Sequence, residues 1–341
     1  MEKMVTFDCE GVIRMKKAKK GIVSVDSGSS YFKAIYNGHE YCQPALISQM
    51  PENSEIAERI RVSNKWMVAG KRAQQQLGAD APRPDTKDDF HGSERQQIQM
   101  MYAFDQLGVV GDFEALILTL PWSDYYTKKD LIKHMKARNK FVWLNSDGEE
   151  KKATFGHIYI IPQGTGAFHL FDSETDDKPE SVILADIGSC TTDIIALQWD
   201  EDDEEYVYRE NLSKSLKSVS TGVFMDGLVE DIFKKRPSRF DINYHVLDKK
   251  IRKGDFTIKD GSTVINFFEE FEHQKTVFTN RLKNALNDEL GQSFTTADLV
   301  LLIGGGPVFI ENWECQSKTK IYDHMSNVRG QLKMISQAVM Q

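Results

Sequence analysis

The chain lacks the residue patterns that mark secreted, zinc-binding and membrane proteins. Only four of its 341 residues are cysteine, and these are scattered without a Cys-x-x-Cys spacing. That usage predicts a reducing, cytoplasmic setting and argues against a structural zinc site. No apolar run approaches the roughly 20 residues that a membrane helix needs, and no apolar segment marks a signal peptide. The net charge of −8 argues against direct binding of nucleic acid by the whole surface.

Two segments far apart in the chain are near copies of each other. Ile22–Ser30 and Ile183–Thr191 each contain an apolar strand, then Asp-x-Gly-Ser, then the start of a second strand. The glycine permits a tight turn and close approach of the backbone, and the turn amides and hydroxyls can point at an anion. The aspartate at the strand end suits a hydrated Mg²⁺ ion. Two such hairpins facing each other would hold a nucleoside triphosphate from both sides.

A third segment, Asp298–Pro307, is an apolar strand that ends in three consecutive glycines. A glycine run after a strand lets a base or a ribose lie against bare backbone. A single Asp-x-Gly after a strand is most often an ordinary turn. All three segments in this order are hard to explain as turns, and together they favour a nucleotide site.

The predicted strands and helices follow a similar order in the two halves of the chain. Residues 21–48 alternate around the turn signal Asn37-Gly38 and predict three strands, and a second half restarts with a strand at residue 182. Further predicted strands cover residues 65–69, 114–121, 157–161, 193–197 and 206–211. Predicted helices cover residues 94–107, 125–140, 166–171, 221–235, 240–251, 265–290 and 327–340. This pattern predicts an α/β, doubly wound architecture in two similar halves.

These residues resemble the actin-like ATPases, and within that superfamily the plasmid-segregation actins of the ParM/StbA family. Val25–Ser29 is similar to the first phosphate loop, Leu184–Ile194 to the second, and Ile303–Gly306 to the adenosine motif. Further similarities to the ParM pattern lie at Ala115–Pro121, Tyr125-Tyr126, Ser220–Gly222 and Asn327–Gly330. The resemblance covers roughly residues 21–340. It implies an actin-like (ribonuclease H-like) duplicated fold, with two similar domains around a central nucleotide cleft.

The resemblance also implies the division of the chain. Residues 1–20 would be an N-terminal extension, whose basic end Arg14–Lys20 is expected to be a solvated tail or a short added strand. Domain I would cover residues 21–172, with a small subdomain at about 36–95. Domain II would cover residues 173–326, with a small subdomain at about 213–290. The closing helix, residues 327–341, is expected to pack back on domain I.

The implied cofactors are ATP, or GTP, and Mg²⁺. Asp26 and Asp186 are expected to hold the metal through its water molecules, and Asp186 is also placed to accept a proton. Lys33 would reach the phosphates as a point charge, although a solvent-facing strand residue is the alternative. The expected nucleotide-binding residues are Ser27, Gly28, Ser29, Ser30, Lys33, Gly188, Ser189, Cys190, Thr191, Ser220, Thr221, Gly222, Gly304, Gly305 and Gly306. The sequence does not choose a base contact among Lys249, Lys250 and Lys275.

One departure from the ParM pattern concerns the expected catalytic residues. The ParM pattern has Pro-Glu after its connecting strand, where this chain has Pro162-Gln163, and glutamine is what actins show here. An amide can orient a water molecule but is a poor proton acceptor. We therefore predict that Gln163 aligns the attacking water while Asp186 accepts the proton. The alternative is that Gln163 only caps the following helix.

The function implied by the resemblance is an ATPase that polymerises head to tail and segregates plasmid DNA through a DNA-bound adaptor protein. In that case nucleotide hydrolysis times the life of the filament. The alternatives are a small-molecule kinase of the same superfamily, a chaperone-like ATPase, and a cytoskeletal filament for cell shape or division. The glutamine at position 163 argues against the kinase, and we expect no peptide-binding domain after the ATPase pattern, which argues against the chaperone. No membrane contact is expected.

Overall fold

The structure is a computed structural model that describes residues 20–82 apart from 55 and 57, 90–176, 178–235, 242–313, 315 and 317–340. Most of the predicted N-terminal extension, including the basic stretch before residue 20, lies outside these residues. None of the helices in the described part of the chain is both long enough and apolar enough to cross a membrane.

The described elements of the amino-terminal half are β1 (Lys20–Ser27), β2 (Tyr31–Tyr36), β3 (His39–Pro44), β4 (Ile47–Met50), β5 (Ile60–Val62), β6 (Lys65–Ala69), α1 (Gly70–Leu77), α2 (Glu94–Leu107), β7 (Gly111–Leu120), α3 (Trp122–Thr127), α4 (Lys129–Lys136), β8 (Lys140–Leu144), β9 (Glu150–Pro162) and α5 (Thr165–Glu174). Those of the carboxy-terminal half are β10 (Ser181–Ile187), β11 (Thr192–Asp200), β12 (Glu205–Tyr208), β13 (Lys214–Leu216), α6 (Thr221–Lys234), α7 (Tyr244–Arg252), β14 (Thr257–Asp260), β15 (Thr263–Asn266), α8 (Phe268–Leu290), α9 (Gln292–Thr295), β16 (Leu299–Gly304), β17 (Lys318–Ile321) and α10 (Ser326–Met340).

The strands form two large sheets that repeat one arrangement. The first has the order β3-β2-β1-β7-β9-β8-β5-β6-β4, and the second has the order β12-β11-β10-β16-β17, with β13 also paired to β11. In the first sheet β1 pairs antiparallel with β2 and parallel with β7. In the second, β10 pairs antiparallel with β11 and parallel with β16. The duplicated α/β fold predicted from the sequence is confirmed. Each copied segment forms the first strand and the turn of a hairpin, β1–β2 in the first sheet and β10–β11 in the second.

Helix α10 returns to the first sheet and packs against α5 and β1. The Oγ atom of Ser24 in β1 donates a hydrogen bond of 2.9 Å to the Oε1 atom of Gln331, which is fully buried. The two helices touch at Gly166 and Gly330, where a Cβ atom on Gly330 would overlap the carbonyl oxygen of Gly166. Only glycine therefore allows this crossing, which fixes α10 behind the strand that carries Asp26.

The main differences from the predicted elements lie where strands were missed. The helix predicted over residues 125–140 is two short helices, α3 and α4, and the chain then enters β8 at Lys140 because that segment pairs with β9. The helix predicted over residues 265–290 begins only at Phe268, since the residues before it form the unpredicted hairpin β14–β15. Helix α2 has the predicted bounds. The proposed domain bounds stay a prediction.

Candidate functional site

The two Asp-x-Gly-Ser hairpins meet face to face. The Oγ atoms of Ser29 and Ser189 lie 2.6 Å apart, at hydrogen-bond distance. The Ser29 hydroxyl also lies 3.0 Å from the Sγ atom of Cys190. The structure therefore brings together residues of the two halves that are far apart in sequence, as the repeat predicted.

The two turns need glycine for the same physical reason. A Cβ atom on Gly28 would lie 2.8 Å from the carbonyl oxygen of Tyr31, and one on Gly188 would lie 2.9 Å from that of Thr191. Contacts this short with backbone force the backbone to shift. In each hairpin, glycine thus lets the two ends of the turn approach closely. A tight turn of this kind can direct its backbone amides at an anion.

Asp26 is buried at the end of β1 and bonded on both carboxylate oxygens. Its Oδ2 atom forms an ion pair of 2.9 Å with the Nζ atom of Lys33, and Oδ1 accepts hydrogen bonds from Thr119 at 2.9 Å and from the Gln163 amide at 3.3 Å. Burial raises the pKa of Asp26, but the Lys33 ammonium and these hydrogen bonds outweigh burial and hold the pKa below its ordinary value. Asp26 is therefore a stable carboxylate.

Asp186, at the end of β10, interacts with the charges of Asp26 and Lys33, but its pKa is shifted in the opposite direction from that of Asp26. Burial and the negative charge of Asp26 raise its pKa to about 6, while Lys33 opposes the rise. No described residue donates a hydrogen bond to its carboxylate. A carboxyl group with a pKa near neutrality can accept and release a proton under ordinary conditions. The two aspartates of the repeat thus have pKa values shifted in opposite directions by their surroundings.

Lys33 is largely shielded from solvent and lies close enough to both carboxylates to interact with their charges. Burial lowers the pKa of Lys33, but the negative charges of Asp26 and Asp186 outweigh burial and raise the pKa above its ordinary value. The ammonium therefore stays charged. The alternative of a solvent-facing strand residue is wrong, since the side chain is 12% exposed. Gln163 lies at the end of β9, and its amide bonds to Asp26.

The remaining wall of the cleft was not predicted from the sequence. It comes mainly from α7, with contributions from Tyr31 of β2 and from His324 in the loop before α10. The residues that line the cleft are Ser30, Tyr31, Lys33, Gly188, Ser189, Thr221, Tyr244, Asp248, Arg252, Gly305 and His324. None of the lysines considered at positions 249, 250 and 275 is among these lining residues. Lys250 pairs with Asp255, and Lys275 pairs with Glu272 and Glu311.

The predicted segment Ser220–Gly222 begins α6 and supports the second hairpin. Ser220 is the N-cap, and its Oγ atom accepts a hydrogen bond from the Val223 amide. The amides of Thr221 and Gly222 donate to the carbonyl oxygens of Gly188 and Ser189, at 2.9 and 3.0 Å. These amides are therefore engaged in holding the hairpin, and Thr221 is the member of the segment that lines the cleft.

Other predicted residues lie beside the cleft rather than in its wall. The buried hydroxyl of Ser27 accepts a hydrogen bond of 2.9 Å from the Gln96 amide of α2. A Cβ atom on Gly304 would overlap the Asp186 carboxylate, and one on Gly306 would overlap the side chain of Ile187. Close packing of β16 against β10 therefore explains glycine at positions 304 and 306, while Gly305 lines the cleft.

Asp193, which pairs with Asp186 across the second hairpin, is a buried carboxyl group that sequence reasoning missed. Burial raises its pKa to about 7, although hydrogen bonds from Ser215 and the Trp122 backbone oppose the rise. The folded protein holds this proton up to about pH 7, whereas the unfolded chain releases it near the ordinary aspartate pKa of 3.8. The contribution of Asp193 to stability is thus greatest at low pH and falls as the pH rises from about 4 to 7.

The substitution Asp193→Asn should therefore stabilise the protein at high pH. Asparagine keeps an acceptor oxygen for Ser215 and cannot ionise, so we expect the free energy of unfolding at pH 8 to rise by more than about 1 kcal/mol. At pH 4 the two proteins should be nearly equal. Urea unfolding at both pH values measures this, with Asp288→Asn on the exposed side of α8 as the control. An equal change at both pH values would contradict the assignment.

The comparisons with known proteins agree with this geometry. Residues 24–166 match the family described as "Actin like proteins N terminal domain". No curated protein sequence matches the chain. A ParM from Clostridium botulinum, solved as a 15-stranded filament, has a TM-score of 0.79 at 18% identity, covering 94% of this chain and 100% of its own.

Two further solved structures share the fold. An archaeal actin homologue has a TM-score of 0.74 at 16% identity, covering 93% of this chain and 99% of its own. A Bacillus thuringiensis ParM, solved with ATP, has a TM-score of 0.62 at 14% identity, covering 94% and 99%. The actin-like fold implied by the sequence resemblance is thus confirmed: residues 24–166 match the model of an actin-like N-terminal domain, and the chain as a whole has the fold seen in ParM structures.

Proposed function

We propose that the chain binds and hydrolyses a nucleoside triphosphate in the cleft between its two halves. The observation that carries this proposal is the contact between the two hairpins through Ser29 and Ser189, 2.6 Å apart. It puts two glycine turns on either side of one small space, with Lys33 beside them. Phosphoryl transfer to water depends mainly on positioning and on neutralising charge, and these groups are suited to both.

The residues present also fit a magnesium ion. Mg²⁺ keeps several water molecules and takes one or two carboxylates, and Asp26 and Asp186 lie together at the two strand ends. Asp186 is partly buried with a raised pKa and receives no hydrogen bond from the described residues, so a cation would stabilise its ionised form. When bound, the ion would neutralise phosphate charge. Asp186 would then receive the proton of the attacking water, which the Gln163 amide would align from its position beside Asp26.

We propose further that the protein forms head-to-tail filaments of itself with ATP or GTP bound. A contact between unlike faces of identical subunits continues as a filament unless its rotation closes a ring. One structure of similar fold is itself a ParM filament, which supports this proposal. The segregation of plasmid DNA through a DNA-binding adaptor protein is the specific role that we propose, and the acidic net charge of −8 agrees with contact through an adaptor.

Two other functions remain as alternatives within the same fold. A cytoskeletal filament of a different cellular role would use the same cleft and the same assembly. A small-molecule kinase would need a carboxylate beside the transferred phosphate to activate its acceptor. Gln163 occupies the connecting segment where the ParM pattern has glutamate, which disfavours the kinase.

Light scattering at 90° against protein concentration, with phosphate release followed in parallel, tests the proposal. We expect scattering to rise above a threshold concentration with Mg-ATP or Mg-GTP and to decay as phosphate appears. Mg-ADP should give a much weaker rise. A flat trace at every concentration, with hydrolysis only after a small-molecule acceptor is added, would contradict the filament and favour a kinase.

A further inference from the structure

Helix α7 belongs to the carboxy-terminal half, yet its first turn is bonded to the amino-terminal half. The Nδ2 atom of Asn243, just before the helix, donates to the carbonyl oxygens of Gly78 at 3.2 Å and Ala81 at 3.4 Å. The Nε2 atom of His245 lies 3.0 Å from the carbonyl oxygen of Pro82, so the imidazole is the donor. These are side-chain bonds from α7 to backbone of the segment after α1.

The last turns of α7 make a second cross-domain contact through a buried charge. The hydroxyl of Tyr31, in β2, donates a hydrogen bond of 2.7 Å to the Oδ2 atom of Asp248. The Nε atom of Arg252 lies 3.0 Å from each oxygen of this carboxylate, and the guanidinium also donates to the Gly305 carbonyl at 3.1 Å. Burial and the Asp248 charge raise the pKa of Tyr31, so its hydroxyl keeps the proton that it donates.

Removing one partner of this cluster leaves a buried charge poorly paired. The Asp248 side chain is 7% exposed and depends on Tyr31 and Arg252 for its hydrogen bonds. Burying a carboxylate is costly unless it is paired and hydrogen-bonded. The hydrogen bond from Tyr31 to Asp248 therefore stabilises the arrangement in which the two halves are together. If the halves separate, water must replace Tyr31 as the donor to Asp248.

These contacts lie on the wall of the proposed nucleotide cleft. Tyr31, Asp248 and Arg252 line the same cleft as Lys33 and Ser189. A nucleotide held between the two hairpins is therefore bordered by α7 on one side. The bonds of α7 to the amino-terminal half must open if the two halves are to move apart around that ligand.

We propose that the bonds from Asn243, His245 and Asp248 to the amino-terminal half form a clasp that holds the cleft shut and limits how fast nucleotide leaves. The effect of the clasp on nucleotide release rests on the proposed function. Its effect in holding the two halves together does not depend on that function. Tyr31 and Asn243 are positioning residues in this account, since they act on the relation of the halves rather than on the reacting atoms.

Two conservative substitutions open opposite ends of the clasp. Tyr31→Phe removes the hydroxyl and keeps the ring, which lies 5.7 Å from the Arg252 guanidinium. Asn243→Asp removes the donor to Gly78 and Ala81. It keeps an oxygen for the amides of His245 and Val246, so the N-cap of α7 survives. The matched controls are Tyr159→Phe on β9 and Asn287→Asp on the exposed side of α8.

The first measurement is the rate at which a fluorescent ATP or ADP analogue leaves the full-length protein after mixing with excess unlabelled nucleotide. We expect each clasp variant to release it about five- to tenfold faster, the effect of losing one net hydrogen bond. The double variant should be faster than either single variant. Both control variants should match the unsubstituted protein.

The second measurement needs no nucleotide and separates the clasp from the proposed function. Backbone hydrogen exchange of the ligand-free protein should be faster in residues 27–31, 187–191 and 244–252 of both clasp variants. If no nucleotide binds to any protein but exchange is faster, the proposed function fails and the clasp holds. If release and hydrogen exchange are unchanged in both clasp variants, or change equally in the controls, the clasp is wrong.

Discussion

Asp186→Asn should slow phosphate release by roughly 100- to 10,000-fold, the range expected when a general base is lost. The variant keeps the size of the side chain and its place at the end of β10. It removes the group whose pKa burial and Asp26 raise to about 6, so no carboxyl remains there to accept a proton. Binding of nucleotide should be weakened far less, since the hairpin backbone and hydroxyls are unchanged.

Single-turnover phosphate release and equilibrium binding of a fluorescent nucleotide measure the two effects separately. Asp288→Asn, on the exposed side of α8, is the matched control and should behave as the unsubstituted protein. An unchanged rate would remove Asp186 from the chemistry. Loss of binding together with loss of rate would show that Asp186 acts mainly by holding the metal and the phosphates, and would contradict its role as the proton acceptor.

The pH dependence of the unsubstituted protein supplies an independent check on this assignment. Because the pKa of Asp186 is raised to about 6 in the ligand-free protein, the fraction that can accept a proton increases between about pH 5 and pH 7. Bound Mg²⁺ would shift this rise to lower pH by favouring the ionised carboxylate. The rate at pH 5 relative to pH 8 should therefore increase as the Mg²⁺ concentration is raised.

The parts of the site that the sequence predicted are those encoded by short local patterns. Gly28 and Gly188 each follow an aspartate by two residues, and each is required by a tight contact with the carbonyl three residues later. The repeat of that pattern predicted two hairpins. The same pattern repeated in two halves predicted that these hairpins face each other, and the contact of Ser29 with Ser189 agrees.

The parts that the sequence did not predict depend on contacts between distant segments. Thr119 bonds to Asp26 only because β7 lies beside β1. The segment Ala115–Pro121 resembles the ParM pattern, but that resemblance assigned no role to Thr119. Asp248 and Arg252 are an ordinary i, i+4 pair on a helix until Tyr31 is placed against them. Periodicity also could not separate α4 from β8, since pairing with β9 decides the conformation of residue 140 onward.

Gly330→Ala should lower the free energy of unfolding by about 3 kcal/mol, the upper part of the range for inserting one methyl group into a packed contact. The added Cβ atom would overlap the carbonyl oxygen of Gly166 and lie 3.1 Å from the Leu170 amide nitrogen. Both neighbours are backbone of α5, so neither can move aside as a side chain could. The helices must separate, which also strains the bond between Ser24 of β1 and Gln331.

The midpoint of urea unfolding, compared at constant slope, measures this loss. Gly21→Ala is the matched control, because Gly21 is exposed and a Cβ atom there meets nothing within 4 Å. The control should change stability by less than about 0.5 kcal/mol. Nucleotide release should also quicken in Gly330→Ala, since β1 carries Asp26 and is held from behind by α10. Equal stability of the Gly330→Ala and Gly21→Ala variants would contradict this prediction. It would show that α5 and α10 have room for a methyl group at Gly330.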